Sequence, residues 1–201
     1  MIDPVTRQRA LYGLVLAGGK SRRMGQDKAL LQRDGQSQLA FAVDLLERFA
    51  DRVFVSTRSE QQHEEQRGQF EQIIDRYDDL GPVAGILSAL EDYPDVDWLV
   101  VACDLPNIDA KTIEYLLEHH PANNPFIAYR SSHDGLPEPL CALYSPDGAG
   151  IVRSFIEDGV NCPRKILIRS DTLLLDQPNP HALDNVNTPE DLRASVLEEA
   201  S

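Results

Sequence analysis

Apolar residues along the chain fall into short blocks that alternate between two periods. Leu11–Leu16 is a nearly continuous apolar run that stops just before Gly18-Gly19, as a strand buried on both faces would. Leu39, Val43 and Leu46 then recur at steps of three and four, which predicts a first helix. Arg52–Thr57 reads as a second strand and residues 72–75 as a short third one. Gly81-Pro82 opens another helix, with proline where its missing N–H leaves no bond unmade. Residues 98–103 are again almost wholly apolar and predict a central parallel strand, ending at Asp104-Leu105-Pro106. Asp109 can cap the helix that follows, with Ile113, Leu116 and Leu117 on its buried side. Further strands are predicted at 126–129, 139–144 and 172–175. Thr188-Pro189-Glu190-Asp191 carries a hydroxyl cap, a proline and a following carboxylate, the opening of a last helix.

Strands alternating with helices predict an α/β, Rossmann-like fold whose mostly parallel sheet carries helices on both faces. Two stretches carry less meaning in this pattern. Residues 59–70 are polar and rich in Gln and Glu, which predicts an exposed connector or helix of little functional weight. His119 and His120 close a helix, where complementing its dipole is explanation enough.

Composition narrows the function. With 19 basic and 33 acidic side chains the net charge is −14, which argues against a surface that holds nucleic-acid phosphates. No apolar run approaches the roughly 20 residues of a membrane span, and Met1 to Ala10 has no apolar core of a secretory signal. Cys103, Cys141 and Cys162 lack C-x-x-C spacing and read as reduced thiols in a cytoplasm. The histidines show no metal-ligand spacing. Against this acidic background, Lys20, Arg22, Arg23 and Lys28 face Asp27 alone, a local charge of 4 − 1 = +3. A small basic island suits a compact polyphosphate.

That island lies in a glycine-rich loop, Leu16-Ala17-Gly18-Gly19-Lys20-Ser21-Arg22-Arg23-Met24-Gly25-Gln26-Asp27-Lys28, directly after the first strand. Its glycines let backbone N–H groups approach an anion closely, and its basic side chains add charge-assisted hydrogen bonds. Two commoner phosphate loops are excluded. A Walker A loop ending at Gly19-Lys20-Ser21 needs glycine at position 14, which is Leu14. The dinucleotide fingerprint fails because Gly18 and Gly19 are adjacent and Ser21 follows.

The loop resembles the L-A-G-G-x-S-x-R-M-G-x-D-K signature of MobA-like nucleotidyltransferases, in particular the molybdenum cofactor guanylyltransferases. Ile74-Asp75, Gly81-Pro82-Val83-Ala84-Gly85, Cys103-Asp104-Leu105-Pro106 and Asn185-Val186-Asn187-Thr188-Pro189-Glu190 agree with it in order and spacing. The resemblance implies a nucleotide-diphospho-sugar transferase-like fold as one domain over 1–201, with a nucleotide-binding half at about 11–110 and an acceptor-binding half at about 111–195. It implies a cytoplasmic enzyme that transfers GMP from GTP to the phosphate of molybdopterin with Mg²⁺ and releases pyrophosphate. GTP and molybdopterin are then the partners, with transient contact to other cofactor-biosynthesis proteins; no nucleic acid or membrane is expected.

By the same resemblance the backbone of Leu16, Ala17 and Gly18 contacts base and ribose, and Gly19 approaches the phosphates. Arg23 and Lys28 hold the triphosphate, Asp75 contacts the nucleotide, and Gly81 to Gly85 line the base pocket. Gly85 could equally serve helix–sheet packing. Asp104 ends an apolar strand, where open α/β sheets bind ligands, and so is placed to meet Mg²⁺. Asn185 and Asn187 fall where the family has residues near the metal and the acceptor phosphate, although turn asparagines fit as well. Ser56 departs from the pattern, standing where an Asn is found. Two rival readings remain: a cytidylyl or sugar-phosphate nucleotidyltransferase, or a non-catalytic nucleotide-binding regulatory protein. The cytidylyl branch carries Ala-Ala-Gly in place of Ala17-Gly18-Gly19.

Overall fold

The computed structural model describes residues 9–17, 28–33, 35–120 and 123–185. Strand β1 (Leu11–Leu16) is buried from both sides, with Leu11 and Val15 in the core of one face and Leu14 in that of the other. A turn of 3-10 helix (Lys28–Leu30) and a two-stranded ribbon, β2 (Gln32–Arg33) with β3 (Gln36–Ser37), lead into α1 (Gln38–Leu46). The Ser37 hydroxyl caps α1 by accepting from the Ala40 N–H at 3.2 Å. Gly13 lets this helix lie against the sheet, since a Cβ there would stand 3.1 Å from Leu46 Cδ1.

The chain continues through β4 (Arg52–Thr57), β5 (Gln72–Ile74), α2 (Pro82–Asp92) and β6 (Asp97–Ala102). Then come α3 (Ala110–Glu118), β7 (Phe126–Arg130), β8 (Pro137–Tyr144), α4 (Gly148–Glu157), α5 (Pro163–Ile168) and β9 (Thr172–Asp176). Asp109 caps α3 as expected, accepting from Thr112 N at 2.8 Å. The seven-stranded sheet runs β5-β4-β1-β6-β8-β7-β9. Within this sheet β8 pairs antiparallel with its neighbours, β6 and β7, and the other described pairings are parallel. Helices α1 and α3 cover one face, and α2, α4 and α5 the other.

The predicted α/β architecture is therefore present, with three differences. The turn between β7 and β8 closes locally, Ser131 N donating to Leu136 O at 2.8 Å. A parallel return needs a crossover of about a dozen residues or more, so β8 must come back antiparallel. Helices α4 and α5 have no counterpart in the sequence reading: α4 begins with two glycines, Gly148 and Gly150, which are poor helix formers, and α5 is too short to display a period. His120 does more than complement a dipole, because its Nε2 lies 3.0 Å from Asp97 Oδ2 with both side chains under a tenth exposed. It ties the end of α3 to the start of β6. Among the described residues no helix is long and apolar enough to cross a membrane.

Candidate nucleotide-binding site

From β1 the chain winds outward through β4 to β5, then returns to lay β6 on the other side of β1. Such a reversal opens a crevice beyond the carboxyl ends of the two strands, the usual ligand site of open α/β sheets. Leu16 and Ala102 are partners at those ends, and Cys103 N extends the ladder by donating to Leu16 O at 3.2 Å. The Gly-rich loop and Asp104 thus leave the sheet from adjacent strand ends.

Asp104 is half-buried, and its Oδ1 is shielded from solvent. The turn behind it is held by Gln38, the first residue of α1, which is 1% exposed and donates Nε2 to Leu105 O at 3.2 Å. The sequence reading passed over Gln38, because a polar residue at a helix start carries no signal of its own. Among the described residues no three His, Cys, Asp or Glu side chains cluster as a metal cage. A carboxylate offers hard oxygen ligands and fits a cation that takes most of its other ligands from phosphate and water, as Mg²⁺ does.

The other wall rises from β4, β5 and α2. Asp75 follows β5 and accepts a 2.7 Å hydrogen bond from Ser56 Oγ at the end of β4. Ser56 is thus turned onto Asp75, which is where the sequence's departure from Asn leads. Gly85 is required for packing, since a Cβ there would lie 2.1 Å from Ser56 Oγ and 3.1 Å from Leu16 Cδ2. Gly81 caps α2 at φ 57° and ψ −139°, a conformation essentially reserved for glycine.

Burial raises the Asp75 carboxyl to about 6, against the opposing pull of the Ser56 hydroxyl and Arg58. A folded-state pKa above the unfolded value means that the acid form is favoured by folding. The associated stability is present below about pH 4 and is lost as pH rises through 6. Asp75→Asn should therefore stabilise the nucleotide-free chain at pH 7.5, on the order of 1 kcal/mol after allowing for partial exposure. The gain should vanish near pH 4, which urea midpoints of both proteins at the two pH values would reveal. An equal difference at both values would mean that this carboxylate is not desolvated.

Ala17 is gripped from two directions. Its N–H donates to Ser56 O at 3.4 Å, and its carbonyl accepts from Arg67 Nη2 at 2.8 Å. Arg67 lies in the 59–70 connector yet is 0% exposed. The stretch is largely exposed, as expected, except at Arg67, whose guanidinium reaches inward to the root of the Gly-rich loop. Polar composition hid this; a lone Arg in a Gln/Glu-rich run reads as solvated.

Of the remaining expected residues, Gly18, Gly19, Arg23 and Asn187 lie outside the described residues, as does the helix predicted from Thr188. Lys28 opens the 3-10 turn, and its side chain is likewise outside the description. Asn185 lines an open pocket beside the Asp104 turn, together with Leu105, Glu138, Cys141, Arg164 and Leu183.

The model of the MobA-like NTP transferase domain matches residues 13–173. The chain belongs to that family. It is a nucleotidyltransferase by that membership. A "Molybdenum cofactor biosynthesis bifunctional protein" of Synechocystis sp. is 39% identical over 184 residues, 92% of this chain. The chain spans 53% of that bifunctional relative, about half its length. A "Probable molybdenum cofactor guanylyltransferase" of Trichormus variabilis is 32% identical, covering 90% of this chain and 88% of the relative. Among solved structures, molybdopterin-guanine dinucleotide biosynthesis protein A from Archaeoglobus fulgidus superposes with a TM-score of 0.76 at 24% identity. That match covers 91% of this chain and 95% of that one, and it shows the shared fold. In this member of the MobA-like family, then, the root of the Gly-rich loop and the Asp104 turn stand at one switch point, with Asp75 just after β5.

Proposed function

We propose that the chain transfers GMP from GTP to the phosphate of molybdopterin, releasing pyrophosphate with Mg²⁺ as cofactor. The observation that carries this reading is the emergence of the Ala17 loop and Asp104 from adjacent ends of β1 and β6. An acceptor phosphate is already ionised at neutral pH and needs no general base to attack the α-phosphorus. Catalysis then rests on alignment and charge neutralisation. The backbone of Leu16, Ala17, Gly18 and Gly19 would cradle the nucleotide, and Arg23 with Lys28 would hold the departing pyrophosphate. Asp75 would accept hydrogen bonds from the nucleoside, and the Gly81–Gly85 turn would border the base. Asp104 would hold Mg²⁺, whose charge neutralises the phosphate oxygens at the reacting centre. Asn185 and Asn187 would face the acceptor, for which the pocket beside Leu105 offers room next to Asp104.

Guanine is favoured over cytosine by Ala17-Gly18-Gly19, where the cytidylyl branch carries Ala-Ala-Gly. A thermal-shift comparison of GTP, CTP, ATP and UTP with Mg²⁺ tests this choice. GTP at about 100 times its dissociation constant should stabilise the chain by roughly 2.7 kcal/mol, with much smaller responses from the others. A larger response to CTP would overturn the guanylyl reading and leave the wider class in place.

A further inference from the structure

Burying a guanidinium is costly, and an apolar side chain would fill the same space more cheaply. Arg67 is nevertheless 0% exposed, in a connector that is otherwise largely at the surface. Its Nη2 donates to the carbonyl of Ala17, fifty residues away in sequence and at the root of the Gly-rich loop. Its Nη1 is paired with Glu64, whose own side chain is 45% exposed.

The backbone that carries Arg67 is itself fixed to the sheet. Gln72 of β5 donates Nε2 to the carbonyls of Gln62 and Arg67, at 3.1 and 3.0 Å. The other end of the same amide accepts from the Thr57 hydroxyl of β4 at 2.9 Å. Arg67 is thus held against β4 and β5 while it grips the end of β1. The ends of β1 and β4 and the start of β5 are thereby linked through this one residue, its guanidinium to Ala17 and its backbone carbonyl to Gln72.

We infer that Arg67 is a positioning residue for the nucleoside triphosphate. It fixes the plane of the Ala17 peptide, where the chain leaves β1. It also sets a buried guanidinium beside Ala17, at the root of the loop. Its partner Glu64 is partly solvated, with a side chain 45% exposed. A simple staple between loop and connector would need the hydrogen bonds but not the charge, and its loss would lower stability without selecting among ligands.

This inference rests on the triphosphate-binding reading above. Its test measures GTP and GMP affinity, and kcat and KM for GTP and for the acceptor, in the full chain and in Arg67→Met and Arg67→Lys. Arg67→Met should weaken GTP binding roughly 10- to 100-fold and GMP binding less, raising the KM for GTP more than that for the acceptor. Arg67→Lys, which keeps the charge and one donor, should recover most of the GTP affinity. If Arg67→Met does not fold, Glu64→Gln replaces it: removing the offsetting charge should leave GTP affinity equal to wild type or tighter. Folded Arg67→Met with wild-type GTP affinity, equal losses for GTP and GMP, or weaker GTP binding by Glu64→Gln would each overturn the role given to Arg67 and leave the transferase reading intact. A wild-type chain that binds no nucleoside triphosphate would overturn both.

Discussion

Asp104→Asn should lower the rate of pyrophosphate release roughly 10²- to 10³-fold while the melting temperature barely moves. The substitution keeps shape and hydrogen-bonding capacity and removes only the charge. If Asp104 merely shaped the turn before Leu105-Pro106, the neutral amide would serve as well, with a stability change within about 1 kcal/mol. A ligand for a hard divalent cation cannot be replaced this way, because an amide oxygen holds Mg²⁺ far less well than a carboxylate does. Raising the magnesium concentration should rescue the variant in part. The comparison is a magnesium titration of both proteins, with melting curves alongside. Normal turnover by Asp104→Asn at low magnesium would move the metal elsewhere and make Asp75, Asn185 and Asn187 the next candidates.

The second large effect is expected at Lys28. If its ammonium meets the outer phosphates, Lys28→Ala should weaken GTP binding roughly 10- to 100-fold, the worth of one charge-assisted hydrogen bond of about 1.5–3 kcal/mol. GMP lacks those phosphates, so its affinity should fall by less than about 3-fold, and the fold should be kept. Calorimetric titration of both nucleotides into both proteins separates the cases. Equal losses for GTP and GMP would take Lys28 out of the triphosphate site.

The contrast between Asp104 and Arg67 shows what a sequence can disclose about this site. Asp104 was legible because three signals coincide: an apolar strand, its abrupt end, and the rule that ligands gather beyond such ends. The Gly-rich loop stands out in the sequence for a similar reason, since its glycines and basic residues break the surrounding pattern together. Arg67 and Gln38 were not, because their roles depend on partners 50 and 67 residues away, Ala17 and Leu105. No local period records such a contact. Gly85 lay between the two classes. Its place in a motif was visible, but the clash with Ser56 that makes a side chain intolerable there exists only once α2 packs on β4 and β1. In the fold itself, the strongly periodic strands and α1 were readable, while α5, six residues long, was not.

The account stands most directly on which part of GTP is handed to the acceptor. GTP labelled in parallel at the α- and the γ-phosphate, supplied with Mg²⁺ and molybdopterin, distinguishes the outcomes. The expected result is α-label in the acceptor product, γ-label in pyrophosphate, and neither when magnesium is chelated. Transfer of the γ-label, or transfer from CTP in preference to GTP, would contradict it.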